Sequence, residues 1–438
     1  MMEFGNGFRS VVLGFLVLTF VVTTCVSLVV VALIYRTFHI EVDPDRITDP
    51  VWFMMLATAI GMLFAVTRFS FGYAVSFYLY AVVIGFIWLS YFTNFEYNHE
   101  LGRISALASL LALMLPSLFI RSGFPRRLSL PRDKLDWLLY GIVLLSAATL
   151  LVSSLYGFRV PDDFEAMYWL REDLAYPAVL RYLQASCVSA LLPFAIACFV
   201  EQRRWVIAAI ALAVSLLFYP LLLSKLALFA SVWLVFLAMI VRFVPPRFAT
   251  ILSLLAPALV GLLAVIGTMG GAEALSLFGL VNFRMLAIPA SAIDHYNDFF
   301  SREPLTYFCQ ISWLKPFVSC PYKEPLGDVL SGVYFVGSLN ASMVATEGIA
   351  SLGSFGAPFS LFVCGLLIAL GNRASEGLPE RFVLVSSGVI LQVLMNVGLT
   401  TSLLTDGLGA LFILWQITPR DFANCRGPGS TCANNSDG

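Results

Sequence analysis

The chain carries little charge for its length. Of its 438 residues only 12% are charged and 59% are hydrophobic, and the mean hydropathy is +0.87. A soluble domain normally has about 25% charged residues. This composition excludes an ordinary soluble protein and predicts a polytopic membrane protein, because spans of about 20 apolar residues each would take up most of the chain.

Several motifs that define other protein classes are also missing. The sequence has neither a Walker loop nor a Rossmann fingerprint, and its His and Cys residues do not occur at metal-ligand spacing. We therefore expect no bound metal, no cofactor and no nucleic-acid partner. The first apolar run, about 25 residues, is too long for the apolar core of a signal peptide, so we expect it to remain as the first span.

Apolar runs separated by charges predict an all-α fold of about 12 transmembrane helices. The last two runs lie close together around Thr400, Thr401 and Asp406, and could instead form a re-entrant pair. The runs are 11–35, 51–67, 71–92, 104–120, 137–156, 183–200, 205–223, 226–241, 249–269, 352–370, 382–399 and 403–417.

The distribution of basic residues predicts the orientation, since Lys and Arg in short loops are retained on the cytoplasmic side. The loop 121–136 carries five of them, which places both termini in the cytoplasm. The cytoplasmic face then holds 15 Lys and Arg against 8 Asp and Glu, and the outer face 11 against 19. In the absence of lipidation or retention motifs, we expect a bacterial inner membrane with the outer loops in the periplasm; a eukaryotic membrane is the alternative.

The predicted organisation is one membrane domain, 1–417, followed by a disordered cytoplasmic tail, 418–438, rich in Gly, Asn and Ser. Two outward segments are substantial, 157–182 and 270–350. The first combines basic, acidic and aromatic side chains, which is typical of glycan sites, where rings stack on sugars and charged groups bond hydroxyls and phosphates. An amphipathic helix at the membrane interface has the same composition. The phosphate-binding candidates here are Arg159, Arg171 and Arg181.

The second outward segment, 270–350, holds most of the reactive side chains. Its start predicts a helix continuing out of the ninth span. If this helix is straight, Arg284 and His295, eleven residues apart, lie on one face about 16 Å from each other; a kink at Pro289 is the alternative. Four prolines make residues 301–328 loop-like. Its end contains Asn340 and Glu347 within apolar sequence, which predicts a partly buried or re-entrant helix lining a polar cavity.

The cysteines differ in their surroundings. Cys309 and Cys320 fall in the outward segment 270–350, where an oxidising compartment would allow a disulfide; two unpaired thiols are the alternative. The others lie in apolar runs as packing residues or in the tail. They are Cys25, Cys187, Cys198, Cys364, Cys425 and Cys432.

Lys225 stands in an apolar stretch at the outward ends of the seventh and eighth predicted spans. A lysine in such a setting is costly unless its ammonium group reaches water or an anion. Lys225 is therefore a candidate contact for a diphosphate, with snorkelling towards water as the alternative.

A particular order of residues runs through 280–360: Arg284, Ile288-Pro289-Ala290, Tyr296, Phe299-Phe300, a Pro-rich loop, Asn340-Ala341, Glu347-Gly348 and Gly353 to Gly356. This order resembles the oligosaccharide repeat-unit polymerases of O-antigen and exopolysaccharide assembly, which are related to the O-antigen ligases. The span count and the late outward segment agree with the GT-C-like architecture of these enzymes. One arginine-to-glycine spacing of some members is not present from Arg284, because His295 occupies the corresponding position.

The resemblance implies a metal-independent glycosyltransferase that moves a glycan from undecaprenyl diphosphate onto an incoming lipid-linked repeat unit at the outer leaflet. Its partners would be this glycan and the lipid bilayer, with a chain-length regulator and a flippase as further candidates. Arg284 would neutralise the departing diphosphate, and His295 would accept the proton of the acceptor hydroxyl. Asp294, Asp298, Glu303 and Glu347 are rival bases. The substrate-binding candidates are Tyr296, Asp298, Arg302, Lys225, Arg159, Arg171, Arg181, Asn340 and Glu347.

Other functions remain open at this point. An O-antigen ligase differs only in its acceptor. In another class of lipid-sugar transferase, acidic residues after the first span bind metal or act as a base, and Glu41, Asp43 and Asp45 resemble that motif. A polysaccharide flippase or secondary transporter would also have twelve spans, but it should show similar halves and charge within the spans, whereas charge here concentrates in outward segments.

Overall fold

The computed structural model describes residues 6–35, 39–124, 129–160, 170, 175–268, 270–311, 314 and 316–422. Within these ranges the chain is helical, and its one isolated β-bridge pairs Ile40 with Thr93. The first helices in chain order are α1 Asn6–Ile34, α2 Val51–Gly61, α3 Leu63–Val66, α4 Phe71–Leu89, α5 His99–Phe119, α6 Arg132–Ser154, α7 Ala178–Ser186, α8 Leu192–Glu201, α9 Trp205–Leu216 and α10 Tyr219–Leu222.

The remaining α-helices are α11 Lys225–Phe243, α12 Pro246–Gly267, α13 Ala272–Phe278, α14 Ile288–Phe300, α15 Leu326–Tyr334, α16 Ser351–Ser375, α17 Glu380–Leu394, α18 Leu399–Leu404 and α19 Leu408–Ile417. Three π-helical segments continue into the α-helices that follow them: Cys187–Leu191, Gly279–Ala287 and Val344–Ala350. A short 3₁₀ turn covers Pro44–Arg46.

Ten helical stretches of the described chain are long and apolar enough to cross a membrane, so the protein is a polytopic, all-helical membrane protein. Nine of them coincide with predicted spans, and the tenth, Glu273–Phe300, falls in what was predicted to be an outward segment. The helices at the other three predicted spans, 51–67, 382–399 and 403–417, are shorter. The count of twelve and the GT-C-like architecture stay predictions.

The chain forms two compact units, each built from separate stretches of sequence. Unit 1 comprises Met1–Arg121, Val244–Asn372 and Leu391–Ser402, and unit 2 comprises Ser122–Phe243, Arg373–Ile390 and Leu403–Gly438. The predicted division into a membrane domain, 1–417, and a tail, 418–438, stays a prediction. Residues 423–438 lie outside the described ranges.

Helix α4 is the centre of unit 1. Its sequence is apolar on all sides, as expected of a helix surrounded by others, and every one of its residues is buried. Ser70 caps its first turn by accepting a hydrogen bond from the Tyr73 N–H, 3.1 Å. Helices α1, α5, α12 and α14 pack around it. Gly85 allows α14 to approach closely, because a Cβ at this position would lie 2.7 Å from the Cβ of Ala290.

One end of unit 1 is lined by basic side chains. Helix α4 begins there and α5 ends there, and an Arg121 N–H bonds the Arg68 carbonyl at 2.8 Å. Helix α12 also begins at this end, where Arg247 bonds the Ala65 carbonyl at 2.6 Å. The opposite end is therefore the one at which α1, α4 and α12 finish and α5 starts.

The stretch Glu273–Phe300 has the length of a membrane span. Residues in its first half and in its second half nevertheless contact the same end of unit 1. A Cβ on Gly279 would lie 2.6 Å from the Tyr35 hydroxyl, and Asp294 contacts His39. Tyr35 and His39 both follow the end of α1. Between them, Asn282 reaches deeper and bonds the Ser27 hydroxyl at 2.8 Å. These contacts indicate that α13, the π segment and α14 run obliquely across one end of the unit.

This helix is not a continuation of the ninth predicted span, contrary to the sequence-based expectation. Helix α12 ends at Gly267, and Gly270 then takes a left-handed conformation, φ 83°. Pro289 follows the π segment Gly279–Ala287 by two residues. Proline has no N–H to donate, and its ring crowds the carbonyl four residues earlier, so it does not fit a regular α-helix. The wider π turn therefore accommodates the proline without breaking the helix.

Unit 2 contains α6 to α11, α17 up to Ile390 and α19. Two tryptophans tie its helices together: the Trp233 indole donates to the Gly388 carbonyl, 3.1 Å, and the Trp415 indole donates to the Ser386 hydroxyl, 3.0 Å. Arg204 forms an ion pair with Asp136, 2.7 Å. Since α6 begins and α8 ends beside this pair, the basic loops of unit 2 also collect at one end.

Candidate functional site

All three histidines of the chain gather around one buried carboxylate at the end of unit 1 opposite Arg68, Arg121 and Arg247. His39 Nε2 lies 2.9 Å from Asp294 Oδ2, and the His39 and His295 rings meet edge to face with centroids 4.3 Å apart. The charge of Asp294 also acts on His99. Asp294 itself is fully buried. We call these residues, with Tyr97 and Asp298, the histidine cluster.

Two loops and one helix bring the histidine cluster together. The loop after α1 pairs with the loop after α4: the Glu41 N–H donates to the Phe92 carbonyl, 2.8 Å, and the Asn94 N–H donates to the His39 carbonyl, 3.1 Å. This pairing stacks His39 on Phe95, with centroids 4.1 Å apart. Helix α14 supplies adjacent Asp294 and His295 and, one turn later, Asp298.

Tyr97 completes the surroundings of Asp294. Its hydroxyl donates to Asp294 Oδ1 at 2.5 Å, so each carboxylate oxygen has a donor. Burial, and then the negative charge of Asp294, raise the pKa of Tyr97 well above its usual value. The phenol therefore stays protonated and continues to donate across the physiological pH range.

Asp298 forms a second carboxylate site beside the first. Its Oδ2 accepts bonds from the Tyr334 hydroxyl, 2.6 Å, and from Arg302. Its Oδ1 is buried and has no hydrogen-bond partner within the described ranges. Burial and the adjacent carboxylate raise the pKa of Tyr334, and the charge of Asp298 raises the pKa of Arg302. The Arg302 side chain is 61% exposed, so it places a cation at the surface above the cluster.

His295 is buried and held in one tautomer. Its Nδ1 lies 2.7 Å from the Ser291 carbonyl, which can only accept, so Nδ1 carries the hydrogen in the neutral ring. The ring edge packs against Tyr334, with centroids 4.9 Å apart. Nε2 is then the basic nitrogen, which is the arrangement that a general base requires.

Arg284 and His295 differ in their surroundings. Arg284 is exposed and lies within electrostatic range of Tyr35, whereas His295 is buried. The π segment that contains Arg284 has more residues per turn than an α-helix, which shifts the angular relation between the two side chains.

Glu347 is buried, and its carboxylate is used within the fold. Its Oε1 accepts from the Thr400 N–H and hydroxyl, 2.8 and 2.7 Å, and its Oε2 accepts from the Thr346 hydroxyl, 2.5 Å. Since Gly398 stands at the N-cap position of α18 and has no side chain, Glu347 supplies the cap. These bonds give Glu347 a structural role.

The other predicted site residues are dispersed. Tyr296 is buried on α14 beside Phe300, and Asn340 is exposed after α15. Arg159, Arg181 and Lys225 belong to unit 2. Arg171 lies outside the described ranges. Unit 1 thus brings together His295, Asp298 and Arg302, while Arg284 occupies the same helix further along.

The acidic loop after the first span does not form a carboxylate cluster. Glu41, Asp43 and Asp45 are exposed, and Asp43 caps a 3₁₀ turn by accepting the Asp45 N–H, 3.0 Å. Within the described ranges no group of three or more His, Cys, Asp or Glu residues has an arrangement that could hold a metal ion.

Cys309 and Cys320 are joined by a disulfide with Cα atoms 5.2 Å apart. The residues on either side of the closed loop attach it to the rest of unit 1. Before it, the Thr306 N–H donates to the Ala350 carbonyl, 2.8 Å; after it, Tyr322 packs on Phe299 of α14 with centroids 5.8 Å apart.

We expect removal of this disulfide to destabilise unit 1. The loss for a loop of this size is about 2 to 3 kcal/mol, mainly through the freer unfolded chain. The measurement is the thermal midpoint of purified Cys309→Ala/Cys320→Ala in detergent, with Cys25→Ala as the control. An unchanged midpoint in the double variant would contradict the expected contribution.

His39, Tyr97 and Tyr334 are functional candidates that the sequence analysis did not single out. They lie in loops or in a short helix, far along the chain from α14, and no periodic pattern marks them. One signal was available: histidine is rare in this chain, and all three copies fall on segments predicted to face outward.

Comparison with known proteins gives no match: no family model, no curated protein and no solved structure is significantly similar to this chain.

Proposed function

We propose that the protein polymerises oligosaccharide repeat units carried on undecaprenyl diphosphate, by glycosyl transfer at the periplasmic face of a bacterial inner membrane. The observation that carries this proposal is the histidine cluster: two imidazoles in edge-to-face contact and two buried carboxylates beneath an exposed arginine, at one end of unit 1. The residue order along 280–360 supplies the substrate class.

The location of the cluster supports an outward-facing site. Arg68, Arg121 and Arg247 line the opposite end of unit 1, and basic residues in short loops are kept on the cytoplasmic side. With this orientation the cluster faces the periplasm, the side on which the proposal puts the lipid-linked glycan. A site for such a substrate needs a proton acceptor and a cation within reach of the membrane surface.

The proposed reaction is a substitution at the anomeric carbon of the donor glycan. The acceptor hydroxyl oxygen forms a bond to this carbon as the bond to the diphosphate oxygen breaks, and the diphosphate leaves with the electron pair. The hydroxyl proton passes to Nε2 of His295. Arg284 binds the diphosphate and neutralises its developing charge, since a guanidinium donates bidentately to phosphate oxygens.

The neighbours of His295 have supporting roles in this proposal. Asp294 holds His39 through Nε2, and His39 packs against the His295 ring. Arg302, exposed and bonded to Asp298, is placed to contact phosphate or sugar hydroxyls entering from the surface. Its carboxylate partner fixes the guanidinium in position.

The test is deletion of the gene from its host, with the surface glycans resolved by gel. We expect the long polymer to disappear and a lipid core capped by a single repeat unit to remain. Polymer of normal length would refute the proposal. A core without any repeat unit would refute it too, and would point to a ligase or a flippase.

We expect Arg284→Ala and His295→Ala to abolish polymer in the complemented deletion strain while each protein still reaches the membrane. General acid–base catalysis contributes about 10²- to 10⁴-fold, which is enough to remove visible polymer. Arg46→Ala, in an exposed loop, is the control. Full-length polymer from the Arg284 variant would contradict the leaving-group role, and full-length polymer from the His295 variant would contradict the base role.

A further inference from the structure

Unit 2 contains a cleft of ≈ 560 Å³ at its basic end. Its walls are apolar and come from α8, α9 and α11, with Ile196, Leu212 and Leu234 among the lining residues. Its charged lining consists of Arg203, Arg242, Arg381 and Glu201. A cleft between membrane helices that is apolar along its length and cationic at one end matches an amphiphile with an acidic headgroup.

The charges of the cleft do not cancel. Glu201 lies 2.8 Å from the Arg381 guanidinium and neutralises one arginine. Three arginines and one glutamate leave a net charge of +2. Arg203 and Arg242 are both exposed, as is Arg381 at 58%, so their guanidinium groups are accessible to a ligand.

Arg203 closes the C-terminal cap of α8: its N–H donates to the Val200 carbonyl, 3.1 Å, and the Arg204 N–H donates to the Phe199 carbonyl, 2.8 Å. Arg203 has φ 60°, a left-handed conformation directly after α8, where glycine is the usual residue. A residue with a Cβ at such a position costs about 1 to 2 kcal/mol relative to glycine. A residue kept at a strained position is a reason to look for a function of its side chain.

The position of the cleft selects the kind of ligand. Trp205, which also lines the cleft, is 54% exposed at the start of α9, and tryptophan is enriched at membrane–water interfaces. The basic residues around it place this end at the cytoplasmic surface. A soluble anion would use the arginines but would gain nothing from the apolar walls, whereas a lipid uses both.

We propose that this cleft binds an acidic phospholipid of the cytoplasmic leaflet, with the head phosphates on Arg203, Arg242 and Arg381 and the acyl chains along the apolar walls. The net charge of +2 complements a headgroup with two phosphates, so cardiolipin is the favoured species. This binding site is separate from the histidine cluster of unit 1, and the proposal stands whether or not the protein is a polymerase.

The test is lipid retention by the purified full-length protein in native mass spectrometry, using cardiolipin, phosphatidylglycerol and phosphatidylcholine at equal concentration. We expect cardiolipin to be retained best. Arg203→Gly and Arg242→Gln should each weaken its binding about fivefold, and the double variant about 25-fold, because each substitution removes one basic group from the headgroup site. Arg9→Gln, another exposed arginine outside the cleft, is the matched control and should bind as the wild type does.

Arg203→Gly separates binding from folding, because glycine relieves the left-handed strain at this position. We expect its thermal midpoint to equal or exceed that of the wild type while its lipid binding falls. Wild-type cardiolipin binding by the double variant, or equal retention of phosphatidylcholine and cardiolipin, would overturn the proposal. Displacement of cardiolipin by millimolar inorganic diphosphate would also overturn it, since the site would then recognise the phosphates alone.

Discussion

Asp294→Asn should remove polymerising activity while leaving the protein folded, with a fall in rate of about 10²- to 10⁴-fold. The carboxylate accepts one bond from His39 and one from Tyr97, and it is fully buried. An asparagine keeps the size of the side chain. It nevertheless removes the negative charge and places its N–H₂ group opposite one of the two donors, His39 or Tyr97. The imidazoles then lose both the bond that orients them and the nearby negative charge.

The measurement is conversion of purified lipid-linked repeat units to polymer in detergent, together with the thermal midpoint of each variant. Asp45→Asn, an exposed acid-to-amide change near the same end of α1, should behave as the wild type does. Asp294→Ala should lose activity and also about 3 to 5 kcal/mol of stability, because a buried partner is then left uncompensated. Wild-type turnover by Asp294→Asn would exclude the histidine cluster from the reaction.

Glu347→Ala should unfold or strongly destabilise unit 1, by about 3 kcal/mol or more. The substitution leaves the N–H and hydroxyl of Thr400 without their acceptor, and leaves the Thr346 hydroxyl only its longer bond to the Ser342 carbonyl, 3.2 Å. It also removes the cap from the N-terminus of α18, where capping is worth about 1 kcal/mol. The measurement is the thermal midpoint and the yield of folded protein in detergent.

Two further variants decide whether Glu347 acts only through the fold. Glu347→Gln retains an acceptor for Thr400 and should lose about 1 kcal/mol, with normal activity per folded molecule. Gly398→Ala should destabilise even though the glutamate is intact, because its Cβ would lie 2.8 Å from both carboxylate oxygens. Full stability of Glu347→Gln combined with lost activity would instead assign Glu347 to substrate binding.

The membrane character of the protein follows from sequence alone because lipid imposes a simple rule. Each backbone N–H and C=O must be satisfied within the segment, so a long apolar run becomes a helix whatever its neighbours are. Nine predicted spans accordingly coincide with helices of membrane length. The run that becomes α4 is apolar on every side, and this is the helix that unit 1 surrounds completely.

The course of Glu273–Phe300 could not be predicted in the same way. Its composition fits both a span and an outward helix, and its direction depends on contacts with Tyr35, Ser27 and His39 at the end of α1. The π segment before Pro289 also changes the rotation between successive side chains, and no hydrophobic periodicity in the sequence predicts such a segment. The relation between Arg284 and His295 around the helix axis therefore does not follow from an ideal helical period.

The sequence by itself determined a helical membrane protein, the bias of its basic residues towards one side, and a short polar stretch, 294–302, that contains half of the histidine cluster. Local composition is sufficient for these properties because each depends on residues close together in the chain. Only the tertiary structure decided which partners the stretch meets. His39 lies 255 residues from Asp294 in sequence, Glu347 is bonded to Thr400, and such pairings depend on how helices pack, which no local pattern encodes.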